Sequence, residues 1–234
     1  METKTHYFSI TEIILWTISV SMILLSFFLF DRSNYLALVA SIIGVTSLIF
    51  NAKGNPFGQI LMIGFSIFYG VISYKNAYYG EMITYLGMSM PMAFVALISW
   101  LKNPYKGNKK EVKVNHIHKK EWFFMMALGL LVTGIFYFIL KALHTTNLYV
   151  STLSVLTSFL AVYLTFRRSP YFALMYAFND IVLIVLWVLV GINAKEYLSV
   201  VVCFIAFLSN DVYGFINWQK MKRQQSEEEK EKLL

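Results

Sequence analysis

The sequence predicts an all-α polytopic membrane protein of about eight transmembrane helices, and three observations predict it. Of 234 residues, 58% are apolar and only 14% charged, where a soluble domain carries about a quarter charged. Mostly apolar windows of 16 to 22 residues recur eight times, at 13–30, 35–50, 57–74, 82–100, 122–142, 147–166, 169–190 and 197–216. That is near the length needed to cross roughly 30 Å of hydrocarbon. The charges collect between the windows, and unevenly.

With loops assigned by alternation, sixteen Lys and Arg residues fall on the side of the termini: Lys4, Lys53, seven lysines from Lys102 to Lys120, Arg167, Arg168 and five in the tail. Four fall on the other side: Arg32, Lys75, Lys141 and Lys195. This is the positive-inside bias, and it predicts cytoplasmic termini. The formal charge of +7 is then a topology signal and an affinity for anionic membrane lipid, with no nucleic-acid partner implied. The flank "METKTHYFSITE" is not basic, and no small-residue cleavage site follows "SFFLF", so the first window reads as a retained helix. The single cysteine, Cys203, lies within the last window and reads as a packing residue.

A shift of 114 residues superposes several marks. Tyr35 falls on Tyr149, Ala40 and Gly44 on Ser154 and Ser158, and Pro56 on Pro170. Asn55 or Ser169 caps the next helix, and the proline takes its first position, where a missing N–H is harmless. With small insertions Glu81 matches Glu196 and Trp100 matches Trp218. The expected organisation is an extra N-terminal helix in residues 1–34, a three-helix repeat in 35–100 and a basic loop with a linking helix in 101–146. A second repeat follows in 147–218 and a charged tail in 219–234. One linking helix makes the repeats parallel, and such repeats mark transporters with a substrate site between the halves. The small residues at 40/44 and 154/158 read as helix-packing positions.

Polar residues inside the windows are the functional candidates. A central Asp costs roughly 2.5–3.5 kcal/mol on the insertion scale, so Asp180, beside Asn179, needs a partner, a wet cavity or a function. Tyr176 and Trp187 share its helical stripe, four residues before and seven after. An anion between aromatic faces suits an organic cation or a flat heteroaromatic ring. Asn210, Tyr213 and Asn217 form a second polar face beside Asp211. The competing reading is that these groups tie helices together through hydrogen bonds worth about 0.6 kcal/mol each. Gln59, Tyr69 and Tyr85 are the alternative lining, from the first repeat. Trp100 and Trp218 are expected in an aromatic belt at the membrane boundary, and Trp187 in a belt or a stack. Pro91 is expected to be a kink or gate point of its helix, because it breaks the backbone ladder.

Other chemistries find no support. "HIHKK" lacks a third ligand nearby, so no metal site is expected. There is no phosphate-binding Gly-x-x-x-x-Gly-Lys loop, no Ser-His-Asp set and no HExxH motif. The chain therefore reads as no enzyme, and no cofactor is called for.

The segments "NAKGNPFGQ", "YYGEMITYLGMSMPMA", "SWLKNPYKGNKKEVKVN", "NDIVLIVLW" and "NDVYGFINWQKM" resemble the PnuC family of bacterial nicotinamide riboside transporters, over about Asn51 to Met221. The resemblance implies a fold like the SWEET sugar transporters, a 3+1+3 core of two parallel repeats. It also implies facilitated diffusion of nicotinamide riboside across the inner membrane, trapping by a cytoplasmic kinase, and a homotrimer. Many members carry a Trp-x-x-Trp pair before the polar position of the sixth core helix. Here that segment reads "SPYFALMYAFND", leaving Tyr176 and Trp187 as stacking groups. Related transporters carry thiamine or riboflavin. Alternatives are an ion-coupled vitamin importer, protonated at Asp180 or Asp211, and a vitamin-sensing receptor that moves nothing.

Overall fold

The computed structural model describes residues 7–75, 79–145, 147–192 and 195–231. Among these, eight helices correspond to the eight apolar windows: α1 (Ile10–Phe30), α2 (Tyr35–Ala52), α3 (Phe57–Lys75), α4 (Tyr79–Leu101), α5 (Lys119–Ala142), α6 (Leu148–Phe166), α7 (Phe172–Gly191) and α8 (Leu198–Glu231). Each is long and apolar enough to cross a membrane. In hydrocarbon the helix is the segment that satisfies its own backbone groups, so uncharged windows of this length have no competing structure.

The turns after α2 and α6 are built alike, 114 residues apart. Gly54 (φ +65°) and Arg168 (φ +54°) both take the left-handed conformation. Their N–H groups donate to the Asn51 and Thr165 carbonyls at 2.9 and 3.0 Å. Asn55 and Ser169 follow, donating to Phe50 and Leu164, each at 3.0 Å. The next helix opens on proline, with the Asn55 side chain accepting from Phe57 N–H at 2.9 Å. Left-handed backbone costs a non-glycine roughly 1–2 kcal/mol. Arg168 is held there by its own side chain, which donates to Ser99 Oγ at 2.7 Å and to the Lys113 carbonyl at 3.1 Å.

The first helix of each unit packs on the last helix of the other: α2 on α8, and α4 on α6. Ala40 and Gly44 make the first of these approaches possible. A Cβ on Gly44 would come within 2.4 Å of Phe207 and 2.9 Å of Phe65. Helix α1 lies against α2 and α8. Ser9 and Glu12 form a capping box at its start. Glu12, 2% exposed, also pairs with Lys53 at 3.2 Å and accepts from the Tyr213 hydroxyl at 3.0 Å.

Four features depart from expectation. The basic loop contains a β-hairpin, Pro104–Tyr105 against Asn108–Val112, whose Lys106-Gly107 turn has positive φ at both residues, as a tight hairpin requires. The chain at its base laces the two repeated turns, Val112 N–H to the Gly54 carbonyl and Asn115 N–H to the Arg168 carbonyl, both at 3.0 Å. The charged tail is not separate from the last helix: α8 runs 34 residues, about 50 Å at 1.5 Å per residue. The buried Gln225 docks it on the hairpin, accepting from Val114 N–H at 2.8 Å and donating to the Val112 carbonyl at 3.1 Å.

Trp100 and Trp218 do not form a belt. Both are fully buried, each donating its indole N–H to the opposite unit, Trp100 to the Thr165 carbonyl and Trp218 to the Asn51 carbonyl, both at 2.8 Å. A membrane-boundary indole and a buried one have the same sequence signature, and only tertiary packing separates them. At Pro91 the structure shows a widened helical turn. The turn before the proline, Thr84–Ser89, is π-helical, with Met90 N–H reaching back five residues to the Tyr85 carbonyl. The wide turn accommodates a ring that an α-helix interior rejects.

Candidate functional site

A central cavity of about 60 Å³ lies between the two repeats, and its lining repeats with them. Leu48 corresponds to Val162, Met62 to Tyr176, Phe65 to Asn179 and Ser66 to Asp180, each pair 114 residues apart. At these four matched positions the first repeat contributes Leu, Met, Phe and Ser, and the second Val, Tyr, an amide and a carboxylate. Ser154 and Ser158 also line the cavity, so these two small residues do more than pack helices. From α4 come Glu81, Thr84, Tyr85 and Ser89, and from α8 come Phe204, Phe207 and Asp211. The π-helical turn carries Tyr85 and Ser89 into this wall.

Asn179 is held in place by α6. Its Oδ1 accepts from Thr157 Oγ1 at 2.8 Å and from Ser158 Oγ at 3.0 Å. The amide orientation follows, because a hydroxyl donating to a side-chain carbonyl fixes the NH₂ on the other side. Asp180 and Asp211 meet, their carboxyl groups within hydrogen-bonding reach. Asp180 Oδ2 and Ser66 Oγ are buried without a hydrogen-bond partner. Buried polar atoms are rarely left unpaired, and each exception calls for a reason. Two of them at repeat-equivalent positions on one cavity mark where a polar or charged ligand is accommodated.

Aromatic groups bound the cavity at both ends. Toward the termini Tyr176 meets Phe172 at 6.2 Å between ring centroids, and Phe172 meets Trp218 at 4.8 Å and Trp100 at 6.2 Å. Toward the far end Phe65 packs on Tyr85 at 5.9 Å and on Phe207 at 5.6 Å, and Tyr69 on Tyr85 at 5.1 Å.

Of the residues proposed from sequence, Tyr176, Asn179, Asp180, Asp211 and Tyr85 come together on this cavity. Trp187 lies outside it, nearer the far end, where its ring pairs with Tyr197 at 5.5 Å. Tyr69 stands behind Tyr85 and faces other openings. Asn210 does not line the cavity: its Nδ2 donates to Ser19 Oγ of α1 at 2.8 Å. Tyr213 turns to Glu12. Gln59 bonds to Asn51 Oδ1 at 2.8 Å, inside a network with Ser47 that ties α2 to α3. The polar face predicted for α8 is thus an anchor: Asn210 and Tyr213 hold α1, and Asn217 donates to the Ala52 carbonyl at the end of α2 at 2.8 Å. Glu81, Ser66, Thr84 and Ser89 were missed. Glu81 carried a signal, a carboxylate at the start of an apolar window; the hydroxyls carried none.

The family described as nicotinamide mononucleotide transporter matches residues 34–220. The chain is 28% identical over 207 residues to the nicotinamide riboside transporter PnuC of Neisseria mucosa, covering 85% of this chain and 77% of that protein. It is 23% identical over 189 residues to the PnuC of Haemophilus influenzae, covering 80% of each. Its fold superposes on a crystal structure of the vitamin B3 transporter PnuC with a TM-score of 0.81 at 23% identity, over 93% of this chain and 94% of that one. With eight membrane-length helices in that fold and a match across most of its length, the chain belongs to the nicotinamide mononucleotide transporter family, as a multi-pass membrane protein that moves a solute and not as an enzyme.

Proposed function

We propose that the chain carries nicotinamide riboside across the bacterial inner membrane by facilitated diffusion, with both termini in the cytoplasm. One observation carries the choice of riboside over mononucleotide. The described residues lining the central cavity include three carboxylates, Glu81, Asp180 and Asp211, and no lysine or arginine. The riboside's pyridinium ring is a permanent cation and is attracted there, by charge and by aromatic faces. A phosphate adds a charge of about −1.5 to −2 and would face those carboxylates unpaired. The names of the relatives support the same substrate.

Binding requires the cavity to widen, since about 60 Å³ is smaller than the roughly 150 Å³ that admits benzene. Relative movement of the repeats, or of the π-helical turn of α4, supplies that space. Conversion to a phosphorylated form inside the cell keeps the gradient inward without an ion gradient. Three copies assemble in the reading taken from the resemblance. Crosslinking in native membranes, with a trimer as the largest product, is the expected outcome.

The decisive experiment is uptake of labelled substrate into empty proteoliposomes. Riboside is expected to equilibrate with no ion gradient, and unlabelled mononucleotide, thiamine and riboflavin to compete poorly. Binding without any uptake would instead fit a receptor. Equal competition by the mononucleotide would sink the choice of riboside. The contact between Asp180 and Asp211 favours a second reading, proton coupling, because a hydrogen bond between two carboxyl groups needs one proton. Accumulation above equilibrium under an imposed pH gradient would select it.

A further inference from the structure

We propose that the opening at the far end between α4, the α5–α6 turn and α7 is a first binding site for the riboside's cationic ring. Glu81 passes the ring from there to the central cavity. The proposal rests on the riboside reading above and adds a second site to it.

The opening holds about 160 Å³ and is lined by residues that include Tyr79, Glu81, His144, Ser151 and Trp187. A cavity of about 150 Å³ admits a benzene-sized ring, so this one accepts the pyridinium. Tyr79, Leu143 and His144 are exposed, which opens the site to the far surface. Trp187 supplies an aromatic face and Glu81 a negative charge, the pairing that recognises an organic cation.

Glu81 is what makes this opening an entrance. It is the one described residue that lines both this opening and the central cavity. Its partly buried carboxylate has no hydrogen bond or ion pair with another described residue. A carboxylate with no such partner among the described residues, near the mouth of a membrane helix bundle, is expensive to keep and marks a cation's path. The π-helical turn begins three residues later, at Thr84, and carries Tyr85 and Ser89 on the central cavity. Such turns are irregular and common at functional sites. A shift there moves Glu81 and Tyr85 relative to each other, as a transfer between two sites requires.

The second opening at the far end serves as an internal contrast. It holds about 370 Å³ and contains Glu196, the repeat counterpart of Glu81, together with Lys75, Asp31 and Tyr197. It shares no described lining residue with the central cavity and ends at Tyr69, which packs on Tyr85 at 5.1 Å. The two openings share Trp187, but only the smaller one has a described lining residue in common with the central cavity.

The test uses the full chain in proteoliposomes, with initial uptake of nicotinamide riboside compared with its uncharged reduced form. Glu81→Gln is expected to raise the apparent KM for the charged riboside by about tenfold, a loss of the size that pairing a cation provides. It should leave the reduced form and the melting temperature near those of the parent. Glu81→Asp keeps the charge and is expected to restore the preference, whereas Trp187→Leu is expected to weaken it. Glu196→Gln should transport like the parent. If Glu81→Gln takes up both forms as the parent does, or loses both equally, the proposed transfer is wrong. Were Glu81→Gln not to assemble, an unchanged preference in Trp187→Leu would overturn it equally. No riboside uptake by the parent would overturn the riboside reading, and this site with it.

Discussion

Trp100 and Trp218 touch at the boundary between the repeats, with ring centroids 5.4 Å apart, and each indole donates to the first helix of the other unit. The two bonds are related by the internal repeat, since Asn51 and Thr165, which accept them, are 114 residues apart. Any rocking of one unit against the other must shear this pair. Each carbonyl keeps a second donor, Gly54 or Arg168 N–H, so losing an indole does not orphan it. Trp218→Phe is therefore expected to cost about 1–2 kcal/mol, from one net hydrogen bond and a reduced ring. The double variant should depart from the sum of the singles, because the rings touch. Thermal unfolding in detergent measures both, and single variants as stable as the parent would refute the role.

Asn179 presents its amide nitrogen to the cavity because Thr157 and Ser158 hold its oxygen. Asn179→Ala is expected to weaken riboside binding about tenfold, the cost of one unmet polar group in the complex. Stability should fall little, since Thr157 Oγ1 also reaches the Leu153 carbonyl at 3.1 Å. Calorimetric affinity equal to that of the parent would move the ligand's polar contacts elsewhere.

Asp180 is the cavity carboxylate with an unpartnered oxygen. Asp180→Asn is expected to weaken the charged riboside more than its reduced, uncharged analogue, since only the former loses an ion pair. A purely structural Asp180 predicts something different: a lower melting temperature and equal losses for both ligands. Paired binding curves decide between them.

The tail clasp sorts by burial. Glu228 pairs with Lys106 and accepts from the Tyr105 hydroxyl at 2.7 Å, and Lys113 meets Glu229 at 2.6 Å, all partly exposed. Exposed ion pairs contribute about 0–1 kcal/mol and are screened by salt. Gln225 is buried, with bonds to Val112, Val114 and Glu111. Gln225→Ala should cost roughly 1–3 kcal/mol, against a barely detectable and salt-dependent effect of Glu228→Ala. The opposite ranking in thermal unfolding would show that charge, and not the buried amide, holds the tail.

Topology is testable by thiol labelling, with the native Cys203 buried and out of reach. A cysteine at Asn108, exposed at the hairpin turn, is expected to react only from the cytoplasm. Asn193, a natural choice for the far side, lies outside the described residues, and the exposed Glu196 serves instead, reacting only from outside. Periplasmic labelling at 108 would reverse the assignment.

How far the sequence reaches differs by feature. Eight helices were legible because bilayer thickness sets one length scale and uncharged windows of that length have one stable structure. The internal repeat was legible at Pro56 and Pro170 because a proline after a cap has a narrow choice of backbone. Asn179, Asp180 and Asp211 stood out because a polar group at membrane depth is costly and needs a reason.

Tertiary packing alone decided the rest. Asn210 and Asp211 are adjacent and equally polar, yet one anchors α1 through Ser19 and the other faces Asp180. A rotation of about 100° along the helix separates them, and no composition records which side a neighbouring helix takes. Trp100 and Trp218 became an internal clasp, and Ser66 and Ser158 became cavity wall, for the same reason. Periodicity tells which residues share a face, while the role of that face is decided by what packs against it.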